Sequence, residues 1–199
     1  MSEPLSSLFR KHAIDMFYYW THPSNVRTIL ELGLISYNLV HEFDLPHESI
    51  AAPGVQIRRN RLITVSRRSL HDYVPLYLVR RTPMLWDIKD RPHVCIRLDL
   101  RVADKPGTLF TDGNAASGET HFFADPKFIE EIPWDVLHRH RWTGSQVRDG
   151  RRKRCAELLV PYRIETEYIL DVVCHPLTDI DFPLGQRHLR ENKPSFLEP

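Results

Sequence analysis

Short apolar runs with the two-residue period of β-strands recur along this chain, whereas helical spacing is rare. The clearest run covers residues 94–100, in which Val94, Ile96, Leu98 and Leu100 would share one face of a strand. Further strands are predicted at residues 17–20, 63–65, 73–79, 156–160 and 169–173. Many short strands with few helices predict an α+β fold with a central antiparallel or mixed sheet.

Proline and glycine positions add detail to this pattern. Pro75 falls inside one predicted strand, and because proline has no N–H for the ladder, it predicts an edge strand or a bulge. Helical spacing follows Ser24, a plausible N-cap, and Gly33 would end that helix. A second helix is predicted over residues 125–138.

Length and composition suit one domain. The chain has 199 residues, of which 42% are hydrophobic, so it can bury one substantial core. We expect a single domain over residues 1–199, with the proline-rich residues 181–199 loosely attached. No apolar stretch approaches the roughly 20 residues needed to span a bilayer, and no signal peptide is evident, so we expect a soluble, cytoplasmic protein.

Charge and cysteine content exclude some classes of protein. The net charge of +1 argues against a generally basic nucleic-acid coat, so any basic surface must be local. Cys95, Cys155 and Cys174 are odd in number and widely spaced, which fits neither a disulfide framework nor a zinc site. We interpret them as small core residues.

One carboxylate stands inside an apolar run near the end of the chain. If residues 154–160 are extended, Glu157 shares a face with Cys155 and Leu159. An unpaired carboxylate in an apolar place is costly, so such a residue has a partner or a task. Alternatively, this face is solvated and Glu157 pairs with a nearby arginine. The spacing alone does not decide between them.

Other polar clusters are less specific. Basic residues that could form a phosphate track, or simply a solvated face, are Arg58, Arg59, Arg61, Arg67, Arg68, Arg148, Arg151, Arg152, Lys153 and Arg154. The eleven histidines form no recognised metal motif, so no metal is expected. Residues 113–118 have phosphate-loop glycine spacing but lack the lysine that follows it, which excludes an ATPase.

Several separated motifs nevertheless occur together in one known family. They are YYWTHPSN (18–25), ILELGL (29–34), VQIRRNR (55–61), LHDYVP (70–75), RTPML (81–85), FTD (110–112) and KRCAELLV (153–160). In this order they resemble the DarT family of DNA ADP-ribosyltransferase toxins. The resemblance extends from about residue 18 to residue 173.

The resemblance implies a fold and an activity. It implies a split β-sheet of the ADP-ribosyltransferase type, with short helices around a cleft for NAD. The activity would be transfer of ADP-ribose from NAD to a thymine or guanine base in single-stranded DNA. The protein would be a toxin that a macrodomain antitoxin reverses. An acceptor in RNA, or a catalytically silent nucleic-acid-binding module, remains an alternative.

The resemblance also assigns residues. It implies the catalytic residues Glu157, Arg58 and His121. It implies that NAD contacts Tyr19, Thr21, His22, Asn25 and Tyr77. It implies that DNA contacts Arg59, Arg61, Arg151, Arg152, Lys153 and Arg154. Tyr19 departs from the histidine common in the family, although a tyrosine can still donate a hydrogen bond to a ribose.

The expected chemistry explains these residue types. Nicotinamide leaves NAD as a neutral amine, so its departure needs no general acid, and one carboxylate can stabilise the positive charge that develops on the ribose. A guanidinium stays protonated, so we expect Arg58 to clamp an anion rather than act as a base. His121 is the easier proton carrier, unless it is only structural.

Overall fold

The computed structural model describes residues 3–144 and 147–174 and the backbone of His188–Arg190. The strands are β1 (Met16–Thr21), β2 (Leu34–Ile35), β3 (Leu62–Ile63), β4 (Arg68–Ser69), β5 (Tyr73–Tyr77), β6 (Val94–Asp99), β7 (Leu109–Thr111), β8 (Phe122–Phe123), β9 (Glu157–Pro161), β10 (Arg163–Ile164), β11 (Ile169–Cys174) and β12 (His188–Arg190). The helices are α1 (Leu5–Lys11), α2 (Val26–Leu32), α3 (Tyr37–Glu42), α4 (Pro53–Arg59), α5 (Pro83–Asp87), α6 (Trp134–Leu137) and α7 (Gly150–Lys153). The predicted α+β class is confirmed.

One mixed sheet organises the described part of the chain. Its strand order is β12-β11-β6-β1-β5-β9-β7-β8, and two small two-stranded sheets, β10-β2 and β3-β4, accompany it. β1 pairs with β6 along its whole length, from Met16 to Thr21. Its register with β5 comprises only Tyr18 opposite Tyr77. The two strands therefore separate beyond this pair, as the predicted split sheet requires.

Pro75 lies in an interior strand, and the prediction of an edge strand or bulge was wrong. β5 pairs with β9 without a register shift, including Pro75 opposite Leu159. Leu78 donates its N–H to Ala156 on the β9 side, so alternation turns the nitrogen of Pro75 towards β1. On that side the strands have already separated. The missing N–H of proline therefore costs no ladder hydrogen bond.

The two faces of β5 and β9 differ in character. Val74, Leu76 and Leu158 face the main hydrophobic core, which also contains the apolar side chains of β6. Tyr77 is paired with Glu157 in the register, so both side chains point to the opposite face. This opposite face carries the polar groups of the candidate site.

The helix predicted after Ser24 is present but begins differently. His22, rather than Ser24, caps the 3₁₀ turn Pro23–Asn25 by accepting the N–H of Ser24, and α2 follows. Gly33 ends the helix with φ of 85°, a conformation that favours glycine. A Cβ at Gly33 would lie 2.1 Å from the carbonyl oxygen of Ile164, so this position also requires close backbone approach.

The second predicted helix, over residues 125–138, is divided. Residues Pro126–Glu131 form a 3₁₀ turn, and α6 begins only after Pro133. Proline limits the helix because its ring and missing N–H disrupt the preceding turn.

Cys95, Cys155 and Cys174 are buried free thiols, in agreement with the sequence interpretation. The predicted loose attachment of residues 181–199 lies outside the described residues, except that the backbone of β12 pairs in parallel with β11. Within the described ranges, no helix has the length and apolar character that crossing a membrane requires.

Candidate active site

A cleft opens where β1 and β5 separate. Its lining includes Tyr19 and Thr21 from β1, Asn25 from the following turn, and Tyr77 from β5. These are four of the five residues predicted to contact a cofactor. The inner face of α4 and the segment 45–52 complete the walls. The sheet separation thus creates a concave site beside the polar face of β5 and β9.

Glu157 begins β9 next to this cleft and is 2% exposed. Its Oε1 accepts the N–H of Ala115 at 2.9 Å, and its Oε2 lies 3.1 Å from Nη1 of Arg59. Its own N–H donates to Oγ1 of Thr111 at 2.8 Å. The carboxylate is therefore buried and held by the backbone, so the expectation of a solvated face was wrong, whereas the pairing with a nearby arginine is present.

Arg59, rather than Arg58, is the arginine at the carboxylate. Val55, Gln56 and Arg59 line the cleft from α4, whereas Arg58 is exposed. This follows from helix geometry, because residues i, i+1 and i+4 share a face and the intervening residues turn away. The structure therefore places Arg59, and not the predicted catalytic residue Arg58, beside Glu157, and it places Arg59 in the wall of the cleft.

Two tyrosines of the cleft stay protonated. Burial, followed by the nearby Cys155 and Glu157, raises the pKa of Tyr77 well above its ordinary value. Burial also raises the pKa of Tyr19, against the opposing effect of Arg59. Both phenols are therefore hydrogen-bond donors at neutral pH.

Asn25 fixes the segment that covers the cleft. Its amide exchanges two hydrogen bonds with the backbone of Glu48, at 2.8 and 2.9 Å, and also donates to Thr21 Oγ1 at 2.9 Å. His22 lies beside Ser24 and Glu48 instead, with Nδ1 at 2.7 Å from Ser24 Oγ and 3.3 Å from Glu48 Oε2. His22 is not among the described lining residues, so the structure supports a positioning role for it.

Buried polar atoms in the cleft point to a polar ligand. Among the described residues, Arg59 Nη2 and the hydroxyl of Tyr73 are buried without a hydrogen-bond partner, and both residues line the cleft. Such atoms are rare in folded proteins and require a compensating partner. A dinucleotide, with its phosphates and ribose hydroxyls, fits this requirement.

His71 and Gln56 are further polar residues of the cleft that sequence reasoning did not single out. His71 Nε2 lies 3.2 Å from Gln56 Oε1. Burial, followed by the charge of Arg59, lowers the pKa of His71. His71 belongs to the motif LHDYVP, so the family resemblance was the one signal that could have identified it.

His121 lies just before β8, and its side chain is 76% exposed. Its Nδ1 is 3.1 Å from Asp112 Oδ2, and its backbone N–H donates to Asp112 Oδ1 at 2.9 Å. Burial raises the pKa of Asp112, but hydrogen bonds from His121 and Arg152 outweigh it and lower the pKa overall. A proton on Nδ1 would be donated to this carboxylate and would leave Nε2 as the accepting nitrogen.

Two further predicted DNA-binding arginines make intramolecular contacts. Arg61 Nη2 donates to the carbonyls of Ala115 and Ser117 at 2.8 and 2.9 Å, which holds the loop that donates to Glu157. Arg152 Nη1 donates to Asp112 at 2.9 Å and to Thr120 at 3.1 Å. Both support the site from within the protein.

Arg154 is 7% exposed, which is incompatible with the predicted DNA contact. Its guanidinium donates to the carbonyls of Arg81, Val136, Leu137 and Arg139. Burial lowers its pKa to about 10, so it remains charged at neutral pH.

Arg151 and Lys153 remain candidates for DNA contact. Arg151 is 71% exposed, and Lys153 is half-buried. Among the residues that the structure describes, no three His, Cys, Asp or Glu side chains gather closely enough to hold a metal ion.

Comparison with known proteins shows that this chain is similar to one family. The family model described as DarT, ssDNA thymidine ADP-ribosyltransferase, matches residues 18–181. A DNA ADP-ribosyl transferase–DNA ADP-ribosyl glycohydrolase fusion protein of Thermosipho africanus (strain H17ap60334) is 30% identical over 160 residues, which cover 76% of this chain. The match spans 40% of the length of that fusion protein.

Solved structures share the fold. Thermus sp. 2.9 DarT in complex with ADP-ribosylated ssDNA superimposes with a TM-score of 0.71 and 26% identity, over 83% of each chain. The same protein in complex with NAD⁺ gives a TM-score of 0.65 and 22% identity, over 82% of this chain and 83% of that one. The second likeness is one of fold alone.

Proposed function

Because the chain belongs to the DarT family of DNA ADP-ribosyltransferases, we propose that it transfers ADP-ribose from NAD to a base of single-stranded DNA. The observation that carries this proposal is the buried Glu157, paired with Arg59 beside a cleft that contains unpartnered polar atoms. We take residues 1–199 as one ADP-ribosyltransferase domain. The proposed base is thymine, which the family description names, or guanine.

NAD would occupy the cleft between β1 and β5. Tyr19, Thr21 and Tyr77 would donate or accept hydrogen bonds along it, and the free nitrogen of Arg59 would bind a phosphate or a ribose oxygen. The cofactor fits the orphaned donors described above. When bound, it supplies the labile bond between nicotinamide and ribose.

Glu157 would stabilise the positive charge that grows on the ribose as that bond breaks. Its burial strengthens this interaction, because few water molecules are present to screen the charge. Arg59 would meanwhile hold the carboxylate in its orientation. No residue needs to protonate the departing nicotinamide.

The acceptor base must lose a proton from its nitrogen. His121 is suited to accept it, because Asp112 holds the Nδ1 proton and leaves Nε2 as the basic nitrogen. The exposure of His121 suits contact with a base that arrives from solvent. Arg58 is exposed and is not among the residues that line the cleft, so we assign it no catalytic step.

Incubation with NAD labelled in the adenylate moiety tests the proposal. Single-stranded DNA should become labelled, whereas duplex DNA and RNA of the same sequence should not. Label on RNA would move the activity to another acceptor, and DNA binding without label would indicate a catalytically silent homologue. Mass spectrometry of the product identifies the base.

Glu157→Gln tests the mechanism. We expect transfer to fall by roughly two to three orders of magnitude, as when one group that stabilises a transition state is removed. Glu167→Gln, in the 3₁₀ turn Thr166–Tyr168, is the matched control and should transfer normally. Circular dichroism and thermal unfolding must show that both variants fold. Full activity of Glu157→Gln would contradict the mechanism.

We also propose a toxin role in the cytoplasm, with a macrodomain antitoxin as partner. The Thermosipho africanus relative carries a DNA ADP-ribosyl glycohydrolase on the same chain, which supports a reversing activity in this family. Expression of the wild type should arrest growth, and Glu157→Gln should not. Co-expression of a macrodomain glycohydrolase should restore growth and remove the label from DNA. Growth arrest by the Glu157→Gln variant as well as by the wild type would contradict this role.

A further inference from the structure

A second groove lies beside the cleft, on the other side of α5. Met84 and Asp87 of α5 line the cleft, whereas Pro83, Leu85 and Trp86 line the groove. Residues 140–143 and Arg151 form the opposite wall of the groove. The helix is therefore shared, with the cleft on one side of it and the groove on the other.

The groove combines aromatic rings with positive charge. Its lining includes Trp86, Trp142, Arg81, Arg141, Arg151 and His140, and no carboxylate occurs among the described lining residues. Trp86 is 60% exposed, so its ring is accessible to a stacking partner. Cations beside accessible aromatic rings are typical of sites for single-stranded nucleic acids, in which bases stack and phosphates pair.

The two walls are held in place independently of any ligand. Arg154 lies 4.5 Å from the centre of the Trp142 ring, and it donates to the carbonyl of Arg81 in one wall and to those of Val136 and Arg139, which precede the other wall in the chain. The ion pair between Arg151 and Asp87 is long, at 4.0 Å, and both side chains are exposed. Such a pair is weak, so the guanidinium of Arg151 can turn to a phosphate. The groove is therefore formed before DNA arrives.

We propose that this groove binds a nucleotide adjacent to the modified one in single-stranded DNA. Trp86 stacks on its base, and Arg81, Arg141 and Arg151 contact the neighbouring phosphates. This inference rests on the proposed function, because it extends the DNA from the cleft across α5. Duplex DNA does not fit, since its bases are already stacked and paired.

Trp86→Ala tests the stacking contact. Loss of one base–aromatic stack should raise the KM for a single-stranded oligonucleotide about tenfold. The KM for NAD should stay unchanged, since Trp86 does not line the cleft. Trp86→Phe should keep most of the affinity. Phe128→Ala, another exposed aromatic residue outside both sites, is the control and should have no effect.

Arg141→Gln and Arg151→Gln test the phosphate contacts. Each should weaken binding to the oligonucleotide and reduce the slope of log K against log salt by about 0.7, the value for one phosphate of a single strand. Arg163→Gln, an exposed arginine on β10, should change neither. Unchanged slopes in both groove variants would overturn the phosphate contacts.

The outcomes separate this inference from the proposed function. If the wild type labels DNA and Trp86→Ala retains its oligonucleotide KM, the groove assignment is overturned and the function stands. If the wild type binds DNA without labelling it, fluorescence anisotropy without NAD still tests the groove. Equal, Trp86-dependent binding of RNA would overturn the assignment to DNA.

Discussion

Glu157 shows how a carboxyl group can be accommodated inside this protein. Removing a charge from water is costly, but here a guanidinium and a backbone N–H compensate the two oxygens. The partner Arg59 depends on its helix face, and the donor Ala115 depends on a loop that Arg61 holds. Each partner reaches the site from a different part of the sequence.

Arg59→Gln should lower transfer by about two orders of magnitude, because the carboxylate loses its cation and the ligand loses a donor. Arg58→Gln is a control at the adjacent position and should retain activity, since its side chain is exposed. Initial rates at saturating NAD and DNA measure both. Equal losses in the two variants would contradict the site geometry.

Arg154→Met should destabilise the fold by about 3 kcal/mol, because several buried carbonyls lose a charged donor. Arg151→Met, at a position whose side chain is 71% exposed, should change the free energy of unfolding by less than about 0.5 kcal/mol. Urea denaturation measures both variants. A small effect of Arg154→Met would show that these hydrogen bonds contribute little.

Among the residues of the site, the sequence singled out the carboxylate but not the partners that the structure gives it. The family motif singled out Glu157. Arg58 and Arg59, however, are neighbours in the motif VQIRRNR, and only their positions on α4 decide which of them faces the cleft. Likewise, Arg152 and Arg154 look alike in sequence, whereas burial gives them intramolecular partners. Such long-range contacts leave no mark in local residue patterns.

The strands were the most predictable elements. Alternation located β6 and β11 closely, because side-chain period reflects which face is buried. The environment of β5 was not predictable, since an interior proline is acceptable only where the neighbouring strand has separated. The helix predicted over residues 125–138 failed for a local reason, the proline at position 133.

Gly33→Ala should destabilise the protein by about 3 kcal/mol, because the φ of Gly33 is positive and the new methyl group would meet the carbonyl oxygen of Ile164. Gly118→Ala is the matched control, since its Cβ would meet nothing within 4 Å. The free energy of unfolding in urea measures the difference. Similar stability of the two variants would contradict the tight packing of the α2–β2 connection against β10.

For the whole molecule, stability should fall as the pH falls. The carboxyl groups with lowered pKa values are Glu3, Asp99, Asp112, Asp125 and Glu165. A lowered carboxyl pKa stabilises the fold above the unfolded value, and this stabilisation is lost as the pH falls through the folded value. The stabilisation from these groups is therefore lost as the pH falls below about 4.

His71 should add a loss of stability at a higher pH than the carboxyl groups do. Because burial lowers its pKa, the unfolded chain binds the proton first, and stability begins to fall below about pH 6.5. His71→Gln should remove this upper step, whereas His138→Gln, at an exposed position, should retain it. Urea denaturation at intervals of about half a pH unit, from about pH 5 to about pH 8, measures the difference. Identical pH profiles for wild type and His71→Gln would contradict this assignment.

The meeting of β1 and β5 at one residue pair has a consequence for ligand binding. β1 and β5 are joined there only by the pair Tyr18–Tyr77. Farther along the cleft, a bound molecule would take the place of the missing backbone hydrogen bonds between the two strands. Such a molecule would act as a cross-brace between two parts of the sheet. Binding should therefore slow amide hydrogen exchange in β1 and β5 together, including at residues that never contact it.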